Sequence, residues 1–413
     1  MNFKQLEVSE WQQFQNIDIE FHDRLTILTG ANASGKTTIL GHILSKHCGW
    51  EFQSGSTPKK DKISGIFKYF SRLFNGEDKG EKAQIGELTY DNGKKAILQI
   101  PNNNNPQYQI QISGQQEVNC LFIPSHRSIF RYQVVGNIPV AIKTKSTVFQ
   151  EVSNATKDRY FGNSNQPSSV LMKNALIGWA IQGYGSEIME KDEEQMKYFQ
   201  EFQEILKKVL PISLGFQKFE IRKMEIVFVC NDKKDEFIFE QASGGICALI
   251  DMVWQIFMYS TKDNSQFTVI IDEVENHLHP TMQRKVLPDL LRAFPDVRFI
   301  VSTHSPLVVG SIQESNIFVL RYQENGKIVS EQLDLVNKAK TASEILDEAL
   351  GVSFTMPIWA EEKLEGIVQK YSSKEMTKDE FGSMRKELKK IGLEKLMPEA
   401  INNLIKKDND KNR

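Results

Sequence analysis

The residues best suited to chemistry lie between Leu25 and Leu40, in the sequence LTILTGANASGKTTIL. The residues up to Thr29 are apolar or β-branched, which predicts a buried strand, and a helical pattern begins at Thr38. Between strand and helix, eight residues match G-x-x-x-x-G-K-[ST] without a mismatch, a pattern whose backbone N–H groups cradle phosphates. With Thr38, the candidate phosphate contacts are Gly30, Ala31, Asn32, Ala33, Ser34, Gly35, Lys36 and Thr37.

Two side chains of this loop have distinct predicted roles. Lys36 would place a positive charge on the β- and γ-phosphates of a nucleotide, and the Thr37 hydroxyl would ligate Mg²⁺. A glycine-rich turn with a lysine also arises without any phosphate to bind, but the strand before it and the helix after it favour a phosphate-binding P-loop. The sequence therefore predicts ATP and Mg²⁺ as cofactors.

A second candidate strand, Gln266 to Glu273, reads QFTVIIDE and ends in two carboxylates. A buried strand of this kind delivers its first acid, Asp272, to the magnesium shell and its second, Glu273, to an attacking water. Two acids after a strand can also mark a solvated loop. The P-loop upstream favours the Walker B interpretation, with Asp272 as a metal ligand and Glu273 as the general base.

A third apolar strand, Phe299 to Ser302, is followed by Thr303-His304-Ser305-Pro306. Lone histidines are usually structural, but His304 lies one strand-helix-strand unit after the Walker B acids. Such a unit places both strand ends at the same edge of a parallel sheet, where an imidazole can contact the γ-phosphate. Lys36, Glu273 and His304 are therefore the candidate catalytic residues.

A short glycine motif, Gln241-Ala242-Ser243-Gly244-Gly245-Ile246, precedes a predicted helix from Cys247 to Tyr259. We expect Ser243 to cap that helix and the two glycines to allow a phosphate close to its N-terminus. A plain N-cap explains the same residues. Their position just before the Walker B strand makes Ser243, Gly244 and Gly245 candidate nucleotide contacts.

Composition limits the classes of protein this chain can be. It has 413 residues, 40% hydrophobic and 25% charged, with a formal net charge of −2, so any contact with nucleic acid must be local. Four cysteines occur without a C-x-x-C pair, and a chain of this size does not need disulfides. The N-terminus is too polar for a secretory signal and no window is apolar enough to span a membrane. We therefore expect a cytoplasmic protein with no membrane contact.

Strand and helix patterns predict an α/β fold with a mixed central sheet, an antiparallel β subdomain, an inserted helical subdomain and a C-terminal helical module. The predicted divisions are residues 1–165 with the P-loop and β-hairpins, 166–215 as the helical insert, 216–335 with the remaining motifs, and 336–413 as the helical module. Residues 50–82, with an apolar island at 66–70, are expected to be a loop or short helix. Near the C-terminus, Met384, Leu388 and Ile391 predict an amphipathic helix that ends near Gly392.

Taken together, the motifs resemble the ATP-binding-cassette type ATPases, in the non-transporter branch that includes the RecF, SMC and OLD proteins. GANASGKT, ASGG, TVIIDE and VSTHSP occur in the family's order. The segment DEVENHLHP, residues 272–280, is similar to the D-E-P-E-N-H-L-H-P of predicted ATPases in OLD-type and other bacterial anti-phage systems. Two-gene systems of the PARIS and Septu kind pair such an ATPase with a separate nuclease. Val274 stands where that family has proline.

The resemblance implies that two heads dimerise head to tail, with ATP between the P-loop of one and the signature serine of the other. Ser243 would be that serine, although Ala242 replaces the family's leucine and Ile246 its later glutamine. Ser125-His126-Arg127 lies where the family has a glutamine, which makes Arg127 a candidate γ-phosphate or interface contact. His277 and His279 have metal-ligand spacing, but the family places this segment in a subunit-contacting loop.

Three functions are consistent with these patterns. The first is a homodimeric or higher-oligomeric ATPase switch in defence or DNA maintenance, with DNA or RNA binding left open. The second is a nuclease like the OLD proteins; it is disfavoured because the last residues are predicted to be helical and their one Asp-x-Asp, 408–410, lies in a polar tail. The third is a scaffold that holds and releases a separate effector, such as a nuclease, with slow hydrolysis.

Overall fold

The computed structural model describes residues 1–60, 67–70, 82–102, 105–128, 130–136, 141–163, 167–261, 265–334, 345, 358–372, 377–398 and 400–401. The chain divides into two compact units, Met1–Ile345 and Leu346–Arg413. Residues 61–66 and 71–81, which belong to the segment predicted as a loop or short helix, lie outside the described residues. The Asp-x-Asp at 408–410 lies outside them as well.

A large mixed sheet organises the first unit. Within the described ranges it contains eleven strands, which are β1 (Phe3–Trp11), β2 (Phe14–Glu20), β3 (Leu25–Gly30), β7 (Lys82–Tyr90), β8 (Lys95–Pro101), β10 (Gln111–Ser113), β11 (Cys120–Ile123), β15 (Thr268–Ile271), β16 (Arg298–Ser302), β17 (Asn316–Tyr322) and β18 (Ile328–Gln332). The smaller sheets contain β4 (Ser54–Gly55), β5 (Thr57–Lys60), β6 (Phe67–Phe70), β9 (Gln107–Tyr108), β12 (Phe216–Arg222), β13 (Glu225–Cys230) and β14 (Asp235–Ile238).

The sheet has a parallel half and an antiparallel half. Strands β11, β15, β16, β3 and β17 are parallel neighbours in that order. The antiparallel hairpin of β17 and β18 leads to β2, and β2, β1, β7, β8 and β10 then continue as antiparallel neighbours. The predicted fold class, α/β with a mixed central sheet and an antiparallel region, is confirmed.

Apolar alternation explains the antiparallel half. In β1, Phe3, Leu6, Val8 and Trp11 are buried while their neighbours along the strand are exposed or half-buried, as expected for a strand with one face in a core. Strands β1 and β2 are joined by a tight turn in which Trp11 pairs with Phe14. The P-loop strand β3 is instead buried at every residue, because it lies between two parallel neighbours and has helices near its end.

In chain order, the α-helices of the first unit lie between the parallel strands β11, β15, β16 and β17. They are α1 (Lys145–Tyr160), α2 (Ser168–Tyr184), α3 (Glu193–Val209), α4 (Gly244–Tyr259), α5 (Pro280–Ala293) and α6 (Pro306–Val309). The P-loop helix runs from Thr38 to Cys48, first with π-helical and then with 3₁₀ geometry, so its predicted start at Thr38 is correct. Across the described part of the chain, no helix is long and apolar enough to cross a bilayer.

Two expectations were wrong in this unit. The apolar island near residue 67 is the strand β6, paired with β5, because its alternating aromatic residues suit a hairpin better than a short helix. Cys48 and Cys120 are joined in a disulfide with their Cα atoms 5.3 Å apart. The end of the P-loop helix packs beside β11, and this packing brings together two cysteines that are 72 residues apart in the chain.

The second unit contains α7 (Ile358–Tyr371) and α8 (Lys378–Lys390). Thr377 caps α8 through a hydrogen bond from the Glu380 N–H. Met384 and Leu388 are buried in a small apolar cluster, with Leu393 and Leu396 packed against it. The predicted amphipathic helix and its end before Gly392 are therefore correct.

Candidate functional site

The candidate site lies at the carboxyl edge of the parallel half of the sheet. Ile27 of β3 is paired with Val301 of β16, which is paired in turn with Ile271 of β15. Because parallel strands end at the same edge, the P-loop, the Walker B acids and the His304 segment all begin there. The three predicted motifs are brought together as expected from their positions after these strands.

Glycine is required at two places in the P-loop. A Cβ atom on Gly30 would lie 2.4 Å from the Leu320 carbonyl oxygen, and one on Gly35 would lie 2.3 Å from the Phe14 ring. Both residues have positive φ, 137° and 91°, and Ala33 between them has φ 60°. The loop is therefore a tightly wound segment that depends on the backbone freedom of its glycines.

Lys36 is folded onto the P-loop that carries it. Its Nζ donates to the carbonyl oxygens of Gly30 (3.0 Å) and Ala31 (2.9 Å), and it lies 3.3 Å from the Ser34 hydroxyl. Burial lowers the pKa of Lys36 to about 8, against the opposing effect of nearby carboxylates. The ammonium group is thus held, poorly hydrated, at the position where the motif predicts phosphate charge.

The P-loop and the Walker B strand are connected through a polar chain. The Thr37 hydroxyl donates to Asp272 Oδ2 at 2.9 Å, and the Ser302 hydroxyl donates to Asp272 Oδ1 at 2.5 Å. A carboxylate and a hydroxyl in contact are the oxygen donors that Mg²⁺ prefers. The residues present therefore fit a magnesium ion, with Thr37 and Asp272 as the protein ligands.

Glu273 is held in a strained backbone conformation. Its φ is 48°, which is uncommon for a non-glycine residue and occurs often at functional sites. Its N–H donates to Ser302 Oγ at 2.8 Å, and the Asn276 amide lies 3.4 Å from its carboxylate. Burial raises the pKa of the Glu273 carboxyl, as do the charges of Asp272 and Glu275. A raised pKa suits a group that accepts a proton during a reaction.

His304 lies beside this acid. Its Nε2 is 4.0 Å from Glu273 Oε1, and its backbone N–H donates to the Glu275 carboxylate. Burial is the main cause that lowers the pKa of His304, and the charge of Lys36 lowers it further. The lowered pKa favours the neutral imidazole, in which one ring nitrogen accepts and the other donates.

Three functional residues were not singled out from the sequence. Ser302 joins Asp272 to the Glu273 backbone, Glu275 fixes the His304 backbone, and Asn276 donates to the Ser125 carbonyl at 2.9 Å. No sequence spacing isolates Ser302, because it is an ordinary last residue of a strand. Glu275 and Asn276 do lie inside the D-E-V-E-N string, and that string was the available signal.

Arg127 occupies a buried position with 6% of its surface exposed. Its guanidinium donates to the carbonyl oxygens of Asp272 (3.0 Å) and Glu273 (3.2 Å), and also to that of Pro124. These contacts fix the backbone of the Walker B turn. The role predicted for Arg127, contact with a γ-phosphate or a partner subunit, stays a prediction.

Ser243 stands at the N-cap of α4, but its side chain makes no capping hydrogen bond, contrary to expectation. The helix starts at Gly244, three residues before the predicted Cys247, and Ser243 and Gly244 are exposed. No hydrogen bond among the described residues joins Ser243, Gly244 or Gly245 to the P-loop. Gly245 lies against the next loop, since a Cβ there would be 3.0 Å from the His277 carbonyl.

The two histidines of the H-x-H segment differ in their surroundings. His279 is the N-cap of α5, and its Nδ1 accepts from the Thr281 N–H at 3.4 Å. His277 is exposed and has φ 67°. No group of three or more potential metal-ligating His, Cys, Asp or Glu residues occurs in the ranges that the structure describes.

Comparison with known proteins finds relatives whose names describe a retron probable ATPase and a Septu protein. A retron Vc95 probable ATPase of Vibrio cholerae serotype O1 biovar El Tor is 31% identical over 128 residues, 31% of this chain and 24% of that protein. Septu protein PtuA of Bacillus mycoides (strain KBAB4) is 20% identical over 398 residues, 94% of this chain and 50% of that protein. The chain thus spans half or less of the length of these relatives.

Among solved structures, the SMC head domain from Thermotoga maritima matches with a TM-score of 0.41 and 16% identity, over 81% of this chain and all of that one. The family model described as "AAA domain, putative AbiEii toxin, Type IV TA system" matches residues 25–310. That range contains all of the motifs at the carboxyl edge of the sheet and more than half of the chain. The chain therefore belongs to this AAA-domain family.

Proposed function

We propose that this chain is an ATPase whose two copies close head to tail over ATP and that it acts in bacterial anti-phage defence with a separate effector protein. The observation that carries the proposal is the chain of contacts from Thr37 through Asp272 to Ser302 and the Glu273 backbone. It connects the predicted phosphate-binding and water-activating groups in a single polar network.

In this proposal each side chain has one task. The P-loop N–H groups and Lys36 bind the β- and γ-phosphates, and Glu273 accepts the proton of the water that attacks the γ-phosphorus. The bond from the γ-phosphorus to the bridging oxygen breaks, and ADP and phosphate leave. A magnesium ion held by Thr37 and Asp272 would neutralise charge on the phosphates. His304, neutral and 4.0 Å from Glu273, contacts the γ-phosphate.

Dimerisation is proposed because Ser243 and Gly244 of the signature segment are exposed, and no hydrogen bond among the described residues joins the segment to the P-loop of its own chain. An exposed helix N-terminus is suited to contact phosphate oxygens brought by another molecule. A second copy could supply its P-loop and nucleotide to this surface. The heads would then separate after hydrolysis, which gives a nucleotide-dependent switch.

The defence role rests on the relatives. Their names describe retron ATPases and a Septu protein, and the DEVENHLHP segment resembles ATPases of anti-phage systems. The effector is proposed to be a nuclease carried on another chain. Expression of the tagged chain from its native locus, followed by identification of the co-purified protein, tests this part.

The enzymatic part is tested with the purified chain. We expect MgATP hydrolysis that requires Lys36, together with a change from monomer to dimer, measured by light scattering, when the Glu273→Gln variant binds ATP. Absence of ATP binding by the wild-type chain would contradict the proposal. Binding without hydrolysis by the isolated chain, with hydrolysis restored by the co-purified partner, would favour the scaffold version.

A further inference from the structure

A separate cavity of about 670 Å³ lies in the first unit, next to the Walker B turn. Its lining includes none of the P-loop, signature or Walker B residues. This volume is typical of sites for small-molecule ligands. Its chemistry is carried mainly by His126, Arg127, Arg131, Thr156, Arg159 and Tyr160.

The lining of this cavity is strongly basic. It has three arginines, and the described residues that form it include no Asp or Glu. Arg159 donates to the Ser128 hydroxyl at 3.1 Å, and Arg131 is exposed without a hydrogen-bond partner among the described residues. Four carboxylates, on Asp251, Asp272, Glu273 and Glu275, act on the charge of Arg127, and Asp251 also acts on that of Arg159. None of these carboxylates is among the described residues that line the cavity, so the charged side chains that face a ligand there are arginines, which favours an anionic occupant.

Among the described residues, two buried polar atoms of the lining side chains have no hydrogen-bond partner. They are Nε of Arg127 and Oγ1 of Thr156, on side chains that are 6% and 3% exposed. Native proteins rarely leave a buried donor unpaired. The acceptor oxygens of a ligand would first meet Arg131 and Arg159, and a small shift of the lining would bring these two covered atoms into contact with it as well.

We propose that this cavity binds a small phosphate-bearing ligand, separate from the ATP at the P-loop. Arginine forks match the oxygens of a phosphate group better than any other side chain does. Tyr160 and His126, whose rings meet edge to face at 6.0 Å, add an aromatic surface for a base, if the ligand is a nucleotide. Binding of this ligand does not depend on the ATPase function; only its effect on hydrolysis, argued next, rests on the proposed function.

The cavity is coupled to the ATPase site through Arg127. The same guanidinium that lines the cavity donates to the carbonyl oxygens of Asp272 and Glu273. A ligand that forms a hydrogen bond with Arg127 therefore acts on the backbone of Glu273, the proposed general base. This makes the cavity a place where a small anion can adjust ATP hydrolysis.

The test uses the full chain with Lys36→Ala, so that nucleotide binding at the P-loop is suppressed. Inorganic pyrophosphate and AMP are titrated separately by calorimetry. We expect binding of at least one probe, weakened about tenfold or more by Arg131→Ala and by Arg159→Ala, since each removes a charge-assisted contact. Tighter binding of AMP than of pyrophosphate identifies a nucleotide, and the reverse order identifies a polyphosphate.

Arg292→Ala is the matched control, because Arg292 is an exposed arginine outside the cavity. It should bind each probe as tightly as the Lys36→Ala parent. The proposal is overturned if neither probe binds, or if Arg292→Ala loses as much affinity as the cavity variants. Arg131 is exposed, so Arg131→Ala is expected to fold, and its melting temperature checks this. Neither outcome decides whether the wild-type P-loop binds ATP, so this proposal and the proposed ATPase function can fail separately.

Discussion

The proposed nucleotide site has two halves, and within one chain only the first half forms a connected set of contacts. The P-loop, Walker B turn and His304 are connected by hydrogen bonds, and Lys36 is 4% exposed. In the signature segment Ser243 and Gly244 are exposed, the serine makes no capping bond, and none of the residues bonds to the P-loop within the described ranges. The side chains of the first half are already held in place by hydrogen bonds without a ligand. The second half has polar groups that another molecule can contact.

This difference indicates that substitutions can separate the binding of ATP to one copy from the ATP-dependent closure of two copies. Changes in the connected half should alter nucleotide binding or hydrolysis in each copy by itself. Changes in the signature segment should leave the binding of ATP to a single copy intact and act only when two copies meet. The following predictions test this separation, beginning with the largest effect.

Glu273→Gln should slow ATP hydrolysis by about 10²–10⁴, because an amide cannot accept the proton of the attacking water. ATP affinity should change little, since the side chain has a similar shape. Single-turnover hydrolysis and fluorescent-ATP binding measure the two effects. Glu314→Gln, an exposed acid outside the site, is the control. Hydrolysis at the wild-type rate would remove the general-base role.

Lys36→Ala should weaken ATP binding about 100-fold, through loss of a charge-assisted contact with the phosphates. The measurement is a binding titration with fluorescent ATP. Lys285→Ala removes an exposed lysine and should bind ATP as the wild type does. If both variants lost the same affinity, bulk charge rather than a specific contact would explain the result.

Ser243→Arg should reduce hydrolysis about tenfold or more, because a bulky side chain in the signature segment prevents closure of the partner. ATP binding to the monomer should be unchanged, which separates this variant from Lys36→Ala. Light scattering of Glu273→Gln protein with and without Ser243→Arg reports the ATP-dependent dimer directly. A dimer that persists in the double variant would place the interface elsewhere.

Raising the pH from 7 to 9 should weaken ATP binding by up to about tenfold. The pKa of Lys36 is lowered to about 8 in the free protein, so its charged form, which binds phosphate, is lost as the pH rises through that value. Lys36→Ala should lack this dependence. A pH-independent affinity in the wild type would show that Lys36 remains charged throughout this range.

Much of the connected half could be predicted from the sequence. The P-loop pattern and the Asp-Glu pair each follow a continuous apolar strand, and strand-helix-strand connections place such ends at one edge. The hairpins β7–β8 and β17–β18 have Asn-Gly in their turns, at 92–93 and 325–326, and Asn-Gly favours a tight turn.

The remainder depends on contacts between distant parts of the chain. Helix α1 escaped prediction because its sequence is polar and weakly amphipathic, with only Val148 and Val152 as fully buried apolar residues. Ser302 acquires its role from a carboxylate on a neighbouring strand. The disulfide between Cys48 and Cys120 and the deep burial of Arg127 also depend on tertiary contacts. No local pattern encodes them.

The central claim, one site built from two copies, is tested most directly by mixing two inactive variants. Lys36→Ala and Ser243→Ala proteins should each hydrolyse ATP poorly, and the small alanine side chain still allows heterodimers to close. In an equal mixture, half of the dimers pair an intact P-loop with an intact signature segment at one of their two sites, so about a quarter of wild-type activity should return. Activity no higher than the average of the two separate variants would contradict the account.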